Sequence, residues 1–121
     1  MNILFILSDA LNGAPYGSEA SYNALRLAGA LSKRDGNLVR VYLMGDAAST
    51  AKSGQKLAAN HGNLEAMLHV LVQAESNNIA ACGSCLDARG LNTEDLTHGV
   101  HRGSLEELAD WTEWSDKVLV F

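Results

Sequence analysis

The sequence predicts a three-layer α/β/α domain on a mainly parallel sheet of about five strands. Three observations carry this reading. Short apolar runs at Ile3–Leu7, Leu38–Met44, Ile79–Cys82 and Lys117–Phe121 are the right length for buried strands. Segments of helical periodicity lie between them, and parallel neighbours need such crossover connections. The length of 121 residues, with 47% hydrophobic and 19% charged side chains, matches one folded domain spanning residues 1–121.

Each element has its own local signal. Ile3–Leu7 ends at Ser8-Asp9 and the loop Asn12-Gly13-Ala14-Pro15-Tyr16-Gly17. Ser18 can cap the helix that follows, with Glu19 in its first turn. Ala24, Leu25, Ala28 and Leu31 then recur at helical spacing until Lys33-Arg34 and Gly36, giving a helix over residues 18–34. Leu38–Met44 is β-branched and apolar, and Gly45-Asp46 ends it. Residues 47–60 are small and polar and read as either a loop or a weak helix. Leu64, Met67, Leu68, Leu71 and Val72 form an apolar stripe, so residues 63–76 are a core-facing helix closed by Asn77-Asn78. Thr97–Arg102 reads as a strand. Ser104-Leu105-Glu106-Glu107 is a capping-box pattern that starts the last helix, with Leu105, Leu108, Ala109 and Thr112 along one side.

Composition narrows the function. A net charge of −5 gives no electrostatic support for binding nucleic acid or anionic membranes. The N-terminal apolar run is too short for a signal core or a membrane span, and two cysteines suit a reducing compartment, so a cytoplasmic protein is expected. No Ser-His-Asp order, nucleophile elbow, Walker loop or dinucleotide fingerprint is found.

In such a sheet the functional loops gather at the carboxyl ends of the strands, which brings Ser8–Gly17, Gly45-Asp46 and Cys82–Gly90 to one edge. The informative stretch is Cys82-Gly83-Ser84-Cys85-Leu86-Asp87-Ala88-Arg89-Gly90. A thiol at the end of a strand, with a helix beginning at Gly83 or Ser84, lies near unpaired backbone N–H groups that favour its thiolate. Cys85, one turn on, stands where it can attack an oxidised or sulfurated Cys82. Other readings of the pair remain open. The thiols can be small buried apolar groups. They can form a thioredoxin-like dithiol, although the only proline, Pro15, is far upstream. Cys82-x2-Cys85-x12-His98-x2-His101 also approaches a zinc-ligand spacing.

Cys82–Leu91, Gly103–Leu108 and Trp114–Phe121, with Tyr16–Ala20, Asn23–Ala28 and Met44–Asp46, resemble the DsrE/DsrF-like (YchN-like) sulfur-relay family over nearly the whole chain. The resemblance implies a flavodoxin-like α/β/α fold and assembly as a homotrimer or homohexamer, or within a hetero-oligomer. It also implies sulfane sulfur carried on a cysteine. The family's sulfur-carrying position falls on Cys82, eight residues before Gly90 and its preceding Arg89. Gly83-Ser84-Cys85 stands where the relay subunits commonly have small apolar residues. A relay of this kind needs no cofactor: Cys82 takes sulfur as a persulfide from a donor protein and passes it to the thiol of an acceptor.

The remaining polar candidates for this edge are Ser8, Gly17, Ser18, Glu19, Asp46, Gly83, Ser84 and Arg89, as substrate- or anion-binding groups. The amide of Ser18 can hold an anion at a helix start, but Ser18 and Glu19 also read as an ordinary cap and first-turn acid. Asp46 reads equally as a turn residue. Arg89 lies about 10 Å further along the helix from Cys82, which makes it a solvated or interface residue. His69 reads as solvated, and either His98 or His101 can approach Cys82. Trp111, Trp114 and Tyr16 read as core or subunit-contact residues. A non-catalytic oligomeric binding module is the alternative from a different class.

Overall fold

The computed structural model describes residues 1–9, 19–55 and 64–121. Gly17, Ser18, His61 and the loop 12–17 lie outside them. The elements run β1 (Asn2–Leu7), α1 (Ala20–Ser32), β2 (Leu38–Leu43), a 3₁₀ helix (Gly45–Ala51), α2 (Leu64–Ala74), β3 (Ile79–Cys82), α3 (Gly83–Ala88), a 3₁₀ turn (Thr93–Asp95), β4 (Val100–Gly103), α4 (Leu105–Trp114) and β5 (Lys117–Val120). The five strands form one parallel sheet in the order β4-β3-β2-β1-β5.

This order decides which helix covers which face. The steps β1→β2→β3→β4 all move the same way, and right-handed crossovers therefore put α1, α2 and α3 on one face; the return from β4 to β5 puts α4 on the other. The thick side holds the main core: Ile3, Phe5 and Leu7 of β1, Val39, Val41 and Leu43 of β2, Ile79 and Ala81 of β3, with Leu25, Leu68, Leu71 and Leu86 from the helices. Each fully buried side chain of this kind contributes about 1.5–3 kcal/mol. The thin side has a smaller cluster of Leu4, Tyr42, Ala80 and Trp111, with Ile6, Met44, Cys82 and Leu108 against it. Trp111 meets Tyr42 edge-on at 6.2 Å, and the Arg40 guanidinium stacks 3.9 Å from the Trp114 ring, which fastens α4 to β2.

Of the loop and the weak helix left open after β2, the described residues form a 3₁₀ helix, Gly45–Ala51, with Ala47, Ala48 and Ala51 in the main core. Other expectations are corrected. The fourth strand is Val100–Gly103 and does not begin at Thr97. Leu105, grouped with Leu108 along one side of α4, is 73% exposed, and Trp111, read as a core or subunit-contact residue, is buried. Ser104 caps α4 by accepting the Glu107 N–H at 3.1 Å. The Glu107 carboxylate does not return the bond; it receives His101 Nε2 at 2.9 Å. Asn77, at φ 57°, ends the α2 segment in the left-handed conformation that asparagine tolerates.

Candidate functional site

Parallel strands bring Ser8, Gly45, Cys82 and Ser104 to one rim. Cys82 closes β3 and stands at the N-cap position of α3, which makes Ser84 the second and Cys85 the third helical residue. A capping side chain accepts from the amides of those two positions. Here sulfur stands in that position without making a capping hydrogen bond to the backbone, and Cys82 Sγ lies 3.3 Å from Ser84 Oγ. Partial burial, the largest single influence, pushes the Cys82 thiol up. The nearby donor groups of Ser84 and Cys85 outweigh it, and the net shift is downward.

Cys85 shifts the opposite way. Burial is again the main cause, and its side-chain bond to Cys82 adds to it, while the Gly45 N–H and the charge of Arg89 partly offset both. The Gly45 N–H reaches Cys85 Sγ at 3.1 Å across 40 residues of sequence. Gly45 can aim that amide because it sits at φ +55°, with the Ser8 carbonyl only 3.3 Å from where a Cβ would be. The two thiols thus face different halves of the fold: Cys82 packs on the thin side of the sheet and Cys85 against the main core.

Asp46 and Arg89 meet at the same corner. Arg89 Nη2 lies 2.6 Å from Asp46 Oδ1, and Nη1 donates to the Cys85 carbonyl at 3.0 Å. Arg89 is exposed, as expected of a solvated residue, and its bonds tie Cys85 to the Gly45-Asp46 turn. Ser8 is exposed on the rim and donates its hydroxyl to the Phe121 carbonyl at 3.1 Å. Glu19 is exposed at the N-cap of α1 and makes no side-chain capping bond.

Two residues beside Cys82 had no signal in the sequence. Arg102 pairs with Asp87 through bonds of 2.8 and 2.7 Å and lies flat on Gly83, where a Cβ would come 2.8 Å from its Cζ. The pairing with Asp87 raises the Arg102 pKa, and the charge of Cys82 adds to the rise. Tyr42, 1% exposed, crosses the thin face from β2 to donate its hydroxyl to the Ser104 carbonyl at 2.9 Å. Gly103 leaves room for the ring, since a Cβ there would meet Tyr42 Cε2 at 2.9 Å. Burial first, then the charge and hydrogen bonding of Cys82, push the Tyr42 hydroxyl far above its ordinary range, so it stays protonated. Both contacts arise from strand pairing that no local pattern encodes.

The histidines divide. His69 is exposed and bonded to Gln73, and His98 is exposed. His101 is held by Glu107 and meets the Trp111 ring at 6.0 Å. Among the described residues, no group of three or more His, Cys, Asp and Glu side chains could hold a metal ion, so Cys82, Cys85, His98 and His101 do not converge on one.

Residues 2–121 match the model of the DsrE/DsrF-like family. The chain belongs to that family. It is 46% identical over 111 residues to Protein YchN of Escherichia coli strain K12, an alignment that covers 91% of this chain and 93% of that one. An uncharacterized protein of Methanopyrus kandleri, MK0008, is 33% identical over 96% of this chain and 93% of its own. The crystal structure of the E. coli ychN protein superposes with a TM-score of 0.83 at 41% identity over 100% of both chains. A conserved protein of unknown function from Bacteroides thetaiotaomicron, BT1422, shares the fold alone, with a TM-score of 0.66 at 17% identity over 98% of this chain and 94% of that one. The flavodoxin-like α/β arrangement expected from the sequence is thereby shown. Among the described residues no helix is long and apolar enough to cross a membrane.

The opposite shifts of the two thiols predict selective labelling. At neutral pH, limiting iodoacetamide should modify Cys82 several-fold faster than Cys85, because only the thiolate reacts. Peptide mapping by mass spectrometry checks this, and equal labelling would remove the asymmetry.

Proposed function

We propose that the protein is a sulfur carrier in a sulfur relay, with Cys82 as the carrying group. The observation that supports this reading best is the hydrogen-bonded Cys82 sulfur at the rim, with its thiol held below the ordinary range. Membership of the DsrE/DsrF-like family fits such a role. The Cys82 thiolate attacks the outer sulfur of a donor persulfide, the donor leaves as a thiolate, and Cys82 becomes Cys-S-SH. An acceptor thiolate then attacks that outer sulfur and restores Cys82. The donors that support the thiolate also support the persulfide anion, and Arg102 adds positive charge nearby. No resident metal or organic group enters either step. Ser8, Asp46 and Arg89 border the same rim or its corner, and Gly83 and Ser84 follow Cys82 on α3.

The partners are proteins that present a persulfide or a thiol, together with further copies of this chain. Leu105, Val118 and Val120 are 73%, 40% and 68% exposed, and this uncovered apolar surface supports assembly as a trimer or hexamer. A cytoplasmic location follows from chemistry that needs both thiols reduced.

The Cys85→Ser variant leaves one thiol and gives the clean test. After exposure to a low-molecular-weight persulfide it should gain about 32 Da, one sulfur atom, in intact-mass measurement. The double variant Cys82→Ser/Cys85→Ser should gain none. An adduct that survives loss of Cys82, or a Cys85→Ser protein that never acquires sulfur, overturns the reading.

A further inference from the structure

We propose that Cys85 discharges the persulfide on Cys82, releasing hydrosulfide and leaving a Cys82–Cys85 disulfide, so that the chain couples sulfane sulfur to thiol reductants. This inference rests on the carrier reading above and assigns Cys85 a chemical task within it.

The geometry carries the argument. Cys82 and Cys85 occupy the N-cap and third helical positions of α3, one helical turn apart. Neither is in a disulfide, and both are partly open to solvent. The Gly45 amide points at Cys85 Sγ from 3.1 Å, and the Arg89 guanidinium is anchored at the Cys85 carbonyl and at Asp46. A merely packed thiol needs neither group. Both act on a negative charge at Cys85, which appears when Cys85 becomes a nucleophile.

The step balances. The Cys85 proton passes to the outer sulfur of the Cys82 persulfide anion. Cys85, now a thiolate, attacks Cys82 Sγ; the bond between Cys82 Sγ and the outer sulfur breaks, and HS⁻ leaves. The sulfane sulfur is reduced by two electrons, and the two cysteines are oxidised by one each. A low-molecular-weight thiol or a dithiol protein resets the disulfide. Burial keeps the Cys85 thiol protonated, so the proton this step uses is held at neutral pH, and discharge should slow once alkali removes it.

Wild type and Cys85→Ser are pulsed with glutathione persulfide, desalted and held without reductant. Wild type should finish about 2 Da below its reduced mass, resist alkylation at both cysteines and release about one equivalent of hydrosulfide. Cys85→Ser should keep its added 32 Da, about one sulfur, and release none. Wild type that retains the added sulfur while Cys85 remains alkylatable overturns the discharge and leaves the carrier intact. Cys85→Ser that takes up no sulfur overturns both. The mass and alkylation of wild type need no variant to fold.

Discussion

Asn78→Asp should destabilise the protein by about 3–5 kcal/mol at neutral pH, the cost of burying an uncompensated charge. Asn78 is 1% exposed and donates from Nδ2 to the Leu71 carbonyl at 2.7 Å and the Val39 carbonyl at 3.2 Å. Its own carbonyl receives the Val41 N–H at 2.8 Å. The residue therefore ties the end of α2 to β2 just where β3 begins its run to Cys82. A carboxylate there would face two carbonyl oxygens, and its other oxygen would replace Oδ1, which has no partner. The sign with pH is fixed. Burial raises the folded-state pKa of the new acid above its unfolded value of about 3.9. The deficit is therefore smallest below that value and grows as pH climbs through the folded pKa. Urea denaturation of both proteins at acid and neutral pH checks this, and a deficit that does not change with pH would refute the buried-charge account.

Gly99→Ala should cost about 2–4 kcal/mol, from backbone strain and overpacking together. Gly99 sits at φ +90°, and a Cβ there would lie 2.3 Å from Val72 Cγ1 and 2.8 Å from Cγ2. A β-branched side chain cannot swing aside as a lysine tip would. The residue immediately precedes β4, so its displacement would also disturb the pairing of Ala81 with Arg102 and of Cys82 with Gly103. A melting temperature lowered by roughly 10 °C or more in thermal denaturation is expected, given about 4–8 °C per kcal/mol for a small domain. A second variant, Val72→Ala in the Gly99→Ala background, should recover part of the loss. The absence of any recovery would place the whole cost in the backbone.

The frame of the fold was legible because its signals are local. Ile3–Leu7 and Ile79–Cys82 are apolar on both faces, as inner parallel strands must be, and the stripe through Leu68 and Leu71 places both residues at 0% exposure. The Gly45–Ala51 turn escaped because alanine, serine and threonine carry no periodic signal, and its burial comes from packing against β2 and β3. Trp111, read as a core or contact residue, is buried, and its packing on Tyr42 and His101 comes from two strands that the α4 segment does not contain. In the site, Cys82 was found from its place after a strand, whereas the Gly45 amide on Cys85, the Asp46–Arg89 pair and the Arg102 contact all cross long stretches of sequence. Strand order creates them, and no single segment contains it.

Different groups line the two sulfurs although both lie on the first turn of α3. Met44 and Leu108 belong with Cys82 to the thin-side cluster, whereas Cys85 packs against the main core beside the Asp46–Arg89 clasp. A substitution in either lining should therefore change the surroundings of one sulfur more than those of the other.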